Sequence, residues 1–215
     1  MKELNLWKRQ LGSVPDDVWD DVDLETLILA DNGLSSISEA IRRMQQIRTL
    51  DLGHNQIAEL PSAIGELANL TDFLYVHDNA LASLPPSLER LTRLRYLNIS
   101  ENRFTSMPES ICAMTSLIEL RASDNELASL PDCIGNLTQL RELHLRNNKL
   151  TTLPDAISGL TSLRQLDLRG NAIETLPASL LELPRFEKLD MRWVRTLRST
   201  DVIDALEARG CVVYR

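Results

Sequence analysis

A proline recurs at almost constant spacing through most of this 215-residue chain. The repeated prolines are Pro61, Pro85, Pro108, Pro131, Pro154 and Pro177, and the steps between them are 24, 23, 23, 23 and 23 residues. Each unit reads LxxLxLxxNxLxxLPxxIxxLxx, and residues 117–139 show it in full as LIELRASDNELASLPDCIGNLTQ. A unit this short cannot bury its apolar face alone, so neighbouring units are expected to stack on one another.

The pattern resembles the leucine-rich repeat family from Leu4 to about Leu197. Its LPxxIxxLxxL half is similar to the 23-residue class of bacterial leucine-rich repeat proteins, plant intracellular Ras-group repeats and repeats beside Roco GTPase domains. The resemblance implies an α/β fold. A curved, right-handed solenoid would carry a parallel β-sheet on its concave face and short helices or 3-10 turns on its convex face.

The residues of the unit favour the same architecture by themselves. Alternation in LxL places both leucines inward and the middle residue outward, as a short strand requires. The asparagine that follows can donate and accept hydrogen bonds at once, so a stack of such side chains can satisfy backbone groups at a buried bend. Proline then pre-sets φ for a convex turn.

The two ends of the chain depart from the repeat. Arg9 stands where the first unit should have asparagine, and Val194 takes that place in the last unit. Residues 199–210, STDVIDALEARG, combine capping side chains, an apolar face and a final glycine, which predicts a helix. We therefore expect about nine repeats over residues 1–198, the first and last atypical, and a C-terminal helical cap with a terminal strand over residues 199–215.

One repeat contains an extra residue, in the stretch LTDFLYVHDNALASLP from Leu70 to Pro85. Counting back from Asn79 places Leu74 and Val76 inside, whereas counting forward from Leu70 would place Phe73 and Tyr75 there. A one-residue slip reverses every side chain of a strand. We expect Asn79 to set the register and a bulge before the strand to absorb the surplus, so that Phe73, Tyr75 and His77 face outward.

This register predicts an exposed aromatic group on the concave face. Phe73 and Tyr75 should meet Tyr96 of the next repeat, with His77 at one side. Grouped, exposed aromatic side chains are typical of the centre of a protein interface. In the alternative interpretation, Phe73 folds inward beneath the bulge and Tyr75 only covers it.

A second candidate is a row of basic residues further along the same face. Arg146, Arg169 and Arg192 occupy equivalent positions in successive repeats, and Arg121 and His144 flank them. Guanidinium groups in such a row can bind the carboxylates or phosphates of a partner. The alternative is a self-neutralised ladder with the nearby Asp167, Asp190, Glu119 and Glu142, which would add little to stability.

Charge and composition exclude several classes of function. The net charge is −8, which is unfavourable for binding nucleic acid. No apolar run approaches the roughly 20 residues of a membrane span, and the N-terminus lacks the apolar core of a secretory signal. The three cysteines, Cys112, Cys133 and Cys211, form no evident disulfide framework, which favours a reducing, cytoplasmic location. Delivery into a host cell as an effector is the alternative.

The sequence predicts no active site, no cofactor and no metal site. Glu119 and Glu142 could form an acid/base pair, but they should lie on an open sheet rather than in a dry cleft. His77 and His144 should be roughly 14 Å apart, too far to share an ion. The phosphate-binding GxxxxGK[ST] of Roco GTPases and the catalytic cysteine domain of bacterial repeat-containing ubiquitin ligases are both missing.

These observations favour a non-enzymatic module that binds a protein or an extended peptide on its concave sheet. The alternative function is the substrate-targeting arm of a bacterial effector or signalling enzyme, of the ubiquitin-ligase or GTPase-regulator type. The chain is expected to be a monomer or a weak homodimer, because the first and last strands leave exposed edges.

Overall fold

The first leucine of each LxL lies at the centre of a three-residue β-strand, as a computed structural model shows for residues 2–215. Ten strands pair in parallel and in chain order to form one sheet. This confirms the predicted solenoid. The strands are β1 (Glu3–Asn5), β2 (Thr26–Ile28), β3 (Thr49–Asp51), β4 (Phe73–Tyr75), β5 (Tyr96–Asn98), β6 (Glu119–Arg121), β7 (Glu142–His144), β8 (Gln165–Asp167), β9 (Lys188–Asp190) and β10 (Val212–Tyr214).

The convex side consists of five-residue 3-10 turns, as the sequence predicted. A proline immediately precedes all but one of them, and Ser38 takes its place in the second repeat, where its hydroxyl accepts a hydrogen bond from the Ala40 amide. Each turn buries at least one apolar residue in the core, such as Ile64, and Leu67 directly after the same turn is also fully buried. The turns span Asp16–Asp20, Glu39–Arg43, Ser62–Glu66, Pro86–Arg90, Glu109–Ala113, Asp132–Asn136, Asp155–Gly159 and Ala178–Glu182.

An asparagine ladder joins each repeat to the one before it. Asn102 shows the pattern: its side-chain amide donates to the carbonyls of Val76, Ile99 and Ser100 at 2.9–3.1 Å, and its Oδ1 accepts from the Leu81 amide at 2.9 Å. One side chain therefore satisfies three carbonyls and one amide at a buried bend. The ladder comprises Asn32, Asn55, Asn79, Asn102, Asn125, Asn148 and Asn171.

The residue just before each ladder asparagine adopts a left-handed backbone conformation. Its φ lies between 49° and 56° at the six non-glycine positions, Asp31, His54, Asp78, Glu101, Asp124 and Asn147. Gly170 takes the same conformation in the last of these turns, with φ of 68°. Asp, Asn and His tolerate this conformation better than other side chains that carry a Cβ atom. Five of the six non-glycine positions hold one of these residues, and Glu101 is the exception.

The extra residue forms a bulge immediately before β4. In the regular copies two successive amides share one carbonyl, as Ile118 and Glu119 share that of Arg95. At the bulge the amides of Arg95 and Tyr96 bond separately to the carbonyls of Thr71 and Asp72. Leu74 and Val76 are fully buried, whereas Phe73 is 42% exposed. The prediction that Asn79 sets the register of this strand is confirmed.

The C-terminal segment contains a helix and a strand. Helix α1 spans Asp201–Ala208 and buries Ile203 and Leu206, and β10 pairs with β9. Gly210 follows the helix in the left-handed conformation that ends many helices. At the other end, Val18 and Trp19 are buried beneath the acidic first repeat. The division of the chain at residue 198 stays an interpretation.

Two of the cysteines are paired, which corrects an expectation from the sequence. Cys112 and Cys133 form a disulfide between adjacent convex turns, with their Cα atoms 5.6 Å apart. They lie 21 residues apart, nearly one repeat, so stacking brings them together. Disulfides persist in oxidising environments, so this pair does not support a reducing location. Cys211 is free and buried.

Replacing Asn102 by alanine should lower the free energy of unfolding by at least about 2 kcal/mol, because it leaves buried carbonyls and a buried amide without partners. Urea denaturation would measure the change. Asn136→Ala is the matched control, since Asn136 is exposed on a convex turn, and we expect a change below about 0.5 kcal/mol. Equal effects of the two substitutions would contradict a structural role for the ladder.

Candidate interaction site on the concave sheet

The concave sheet displays three columns of outward side chains, one residue of each column per strand. The first column contains Thr49, Phe73, Tyr96, Glu119 and Glu142, and the middle column contains Asp51, Tyr75, Asn98, Arg121 and His144. The third column lies just after the strands and includes His77 and Arg146. Since adjacent strands are about 4.8 Å apart, neighbours within a column can touch.

Phe73, Tyr75 and Tyr96 form one aromatic cluster, as the register predicted. The ring centroids are 5.9 Å apart for Phe73 and Tyr75, 5.5 Å for Phe73 and Tyr96, and 5.0 Å for Tyr75 and Tyr96. Phe73 points outward, so the alternative in which it folds inward is wrong. Each ring therefore contacts the other two while part of the cluster stays open to solvent.

The two tyrosines of the cluster keep their hydroxyl protons. Partial burial raises the pKa of Tyr96 to about 12, and burial likewise raises the pKa of Tyr75. Both phenols are therefore neutral at physiological pH, and each offers an O–H donor beside an apolar ring.

A hollow of about 360 Å³ opens beside the aromatic cluster at the start of the strands. Its apolar lining comes from Phe73, Tyr96 and Ile118, and its charged lining from Arg48, Asp72, Arg95 and Glu119. Arg48 is paired with Asp72 through two hydrogen bonds. The side chain of Arg95 is exposed and has no ion pair among residues 2–215. The two carboxylates of the lining are paired with Arg48 and Arg121, so Arg95 is the charged group of the hollow that is available to a partner.

His77 joins the cluster on its other side, where it meets His54. Its ring centroid is 6.1 Å from that of Tyr75, and its Nε2 lies 3.2 Å from His54 Nε2. The ring rests directly on Gly53, since a Cβ atom there would lie 2.4 Å from His77 Cε1. His54 in turn contacts Asp78 at 2.7 Å. The sequence predicted the outward direction of His77 but not this histidine pair.

The guanidinium groups of the predicted arginine row are already matched by carboxylates. Arg146 pairs with Asp124 at 3.0 Å, and Arg192 pairs with Asp190 at 2.8 Å. Arg169 bonds to Asp167 at 2.5 Å and approaches Asp190 at 3.6 Å. Burial alone would raise the pKa of Asp190, but its hydrogen bonds from Arg192 and the charge of Arg169 outweigh burial and lower it. This geometry matches the self-neutralised ladder.

Arg121 and His144 belong to a smaller group of charges between the aromatic cluster and the arginine row. Arg121 Nε donates to Glu119 Oε1 at 2.6 Å, and its guanidinium carbon lies 5.9 Å from the Tyr96 ring centroid. His144 Nε2 lies 3.3 Å from Glu142 Oε2 and 3.7 Å from Glu119 Oε1. Both glutamates are partly exposed on an open sheet.

Tyr214 is a concave-face residue that the sequence analysis missed. It lies on β10, and Lys188 and Arg192 stand 5.3 Å and 5.5 Å from its ring centroid. The repeat pattern ends before residue 199, so the columns of outward residues could not be extended from the sequence to Tyr214. The residues CVVYR predict a strand there, because Val and Tyr favour strands, but they do not show which face Tyr214 takes.

Comparison with known proteins agrees with the geometry. The family model described as "Leucine-rich repeat region" matches residues 128–208, and the model "Leucine Rich Repeat" matches residues 46–67 and 93–114. The human volume-regulated anion channel subunit LRRC8A is 35% identical over 98 residues, which is 45% of this chain. A Drosophila melanogaster leucine-rich repeat and calponin homology domain-containing protein is 37% identical over 70 residues, or 32% of this chain.

Solved structures share the fold over almost the whole chain. A leucine-rich repeat protein of Leptospira interrogans superimposes with a TM-score of 0.79 at 24% identity, covering 99% of this chain and 66% of its own. The plant peptide hormone receptor RGFR1, solved in complex with RGF2, gives a TM-score of 0.78 at 28% identity, covering 91% of this chain and 35% of the receptor. An internalin of Listeria monocytogenes gives 0.75 at 19% identity, with 94% and 64% coverage.

This chain is a leucine-rich repeat protein. Leucine-rich repeats are generally protein-interaction modules, and their domains bind proteins or peptides. The aligned residues cover 12% of the length of the channel subunit and 8% of that of the Drosophila protein, so both relatives are much longer than the segment they share with this chain. Within residues 2–215 no helix has the length and apolar character needed to cross a membrane.

The histidine pair should make stability depend on pH. Burial lowers the pKa of His77 and the charge of His54 lowers it further, whereas Asp51, Glu101 and Asp78 oppose the shift without reversing it. Unfolded histidine takes up its proton near pH 6.5, before folded His77 does. The contribution of His77 is therefore fully present above about pH 6.5 and is lost as the pH falls through the lower folded pKa.

We expect His77→Gln to flatten the fall in unfolding free energy between pH 7.5 and pH 5, relative to the unsubstituted protein. Urea titrations at several pH values would measure it. Parallel curves for the two proteins would show that His77 is not the responsible group.

Proposed function

We propose that this chain is a non-enzymatic recognition module that binds a protein or an extended peptide on its concave sheet. The aromatic cluster is the observation that carries the proposal. Three mutually contacting rings, one of them 42% exposed, provide a rigid apolar anchor with two phenol donors. Aromatic residues of this kind dominate the binding energy of many interfaces.

The local surroundings favour a partner side chain inserted beside the rings. The hollow between Phe73, Tyr96 and Ile118 has room for an apolar side chain, at about 360 Å³. Arg95, which also lines the hollow, can pair with a carboxylate of the partner. Because the sheet and the ladder hold these residues in place before binding, little conformational entropy is lost on association.

The arginine row has a secondary place in this proposal. Arg146, Arg169 and Arg192 already have carboxylate partners, so a ligand would have to compete with Asp124, Asp167 and Asp190. Charge selection by this row, and by Arg121 and His144, stays a prediction. The 23-residue class, the cytoplasmic location and the monomeric or weakly dimeric state also stay predictions.

A second candidate function is that of a targeting arm within a larger protein. The observation in its favour is the length of the matched relatives, since the aligned residues cover only 12% of one and 8% of the other. The concave sheet would still make the contact, and an attached domain would supply the activity. A ubiquitin-ligase or GTPase-regulator domain is the type that the resemblance of the sequence suggests.

Replacing Tyr75 and Tyr96 together by alanine should weaken binding at least ten-fold, because it removes two of the three anchoring rings. Peptides selected on the unsubstituted protein from a phage-displayed random library would serve as ligands, with affinities measured by fluorescence polarisation.

Trp193→Ala with Tyr214→Ala is the matched control, since it removes two exposed aromatic residues at the far end of the solenoid. We expect the control to bind as the unsubstituted protein does. Peptides that bind the Tyr75/Tyr96 variant with unchanged affinity, while its circular dichroism and melting are intact, would rule out the aromatic anchor.

A further inference from the structure

We infer that Glu119, Glu142 and His144 form a binding site for a divalent transition-metal ion such as Zn²⁺ on the concave sheet. Glu119 and Glu142 are paired in register on β6 and β7, and His144 lies two residues after Glu142 on the same strand. One ligand atom from each residue can be chosen so that all three lie within 4.8 Å of one another.

The two distances from His144 to the glutamates are close to those around a tetrahedral ion. Zinc–nitrogen and zinc–oxygen bonds of about 2.0–2.2 Å place neighbouring ligand atoms about 3.4 Å apart. His144 Nε2 is 3.3 Å from Glu142 Oε2 and 3.7 Å from Glu119 Oε1. The two glutamate oxygens lie within 4.8 Å of each other, so their carboxylates would have to rotate toward a shared ion.

The charges of the cluster favour a cation, as a comparison with the opposed pair Asp167 and Asp190 on the next strands shows. Asp167 and Asp190 are also opposed in register, but Arg169 and Arg192 pair with them, so two cations match two carboxylates. Glu119 has Arg121, whereas Glu142 has neither lysine nor arginine within ion-pair distance among residues 2–215. Like charges directly opposed on neighbouring strands destabilise a sheet, and a bound cation would relieve this repulsion.

The chemistry of the three ligands selects the kind of ion. Imidazole together with carboxylates suits Zn²⁺ and its neighbours in the first transition row, whereas Mg²⁺ prefers six oxygen ligands. Arg121 would act in the second shell, since its Nε already holds Glu119 Oε1 at 2.6 Å. All three ligands rise from the sheet, so the remaining coordination position faces solvent and can accept water or a donor from a docked partner.

The sequence predicted no metal site because His77 and His144, the two histidines expected on the sheet, stand too far apart to share an ion. The parallel register instead places a single histidine beside two carboxylates of adjacent repeats. The site shares no ligand with the neighbouring aromatic cluster, so either proposal can fail without the other.

The test is calorimetric titration of the tag-free protein with ZnCl₂ at pH 7.5, with MgCl₂ as the comparison ion. We expect one Zn²⁺ per chain, at least ten-fold weaker binding in His144→Ala and in Glu142→Gln, and binding to Mg²⁺ at least ten-fold weaker than to Zn²⁺. No heat of Zn²⁺ binding to the unsubstituted protein, or unchanged binding by His144→Ala, would overturn the proposal.

His54→Gln is the matched control, because His54 and His77 place two histidine nitrogens 3.2 Å apart elsewhere on the sheet. We expect this variant to bind Zn²⁺ normally, and loss of binding would place the ion on the histidine pair instead. A second measurement needs no substitution. In ¹⁵N spectra of the histidine side chains, Zn²⁺ should shift the Nε2 resonance of His144 and leave those of His54 and His77 in place.

Discussion

The asparagine ladder is the interaction on which the rest of this structure depends. Each turn of the solenoid bends sharply after its strand, and the bend leaves carbonyl and amide groups inside the protein where water cannot reach them. One side-chain amide per turn satisfies groups of its own repeat and of the preceding repeat together. The strands, the buried leucines and the spacing of the concave columns all follow from the alignment that this bonding enforces.

The ladder also explains why an extra residue changes the surface without disturbing the core. Asn79 bonds to Leu52 and Ile57 of the preceding repeat as its equivalents do, although the sequence separations are one residue longer. The surplus therefore falls before β4, where the backbone can bulge. The strand keeps Leu74 and Val76 inside, and the aromatic residues between and around them remain on the concave face.

Much of this could be predicted from the sequence because the repeat supplies its own alignment. Strand positions, the outward direction of Phe73 and Tyr75, and the convex 3-10 turns were confirmed, since each depends only on the period and on one side chain such as Asn79. The partners of flexible side chains could not be predicted in the same way. Arg146 pairs with Asp124, outside the columns, and the cysteine pair joins positions offset by two residues between adjacent turns.

The residues with left-handed backbone before the ladder asparagines form a row of mostly polar side chains after the strands. Asp31, His54, Asp78, Asp124 and Asn147 would look like a polar stripe arranged for a ligand. Their shared backbone torsion is a sufficient reason for their identity, since few side chains tolerate it. The similarity of these residues among the repeats therefore follows from their backbone conformation. Residues that select a partner are expected at positions where the repeats differ from one another.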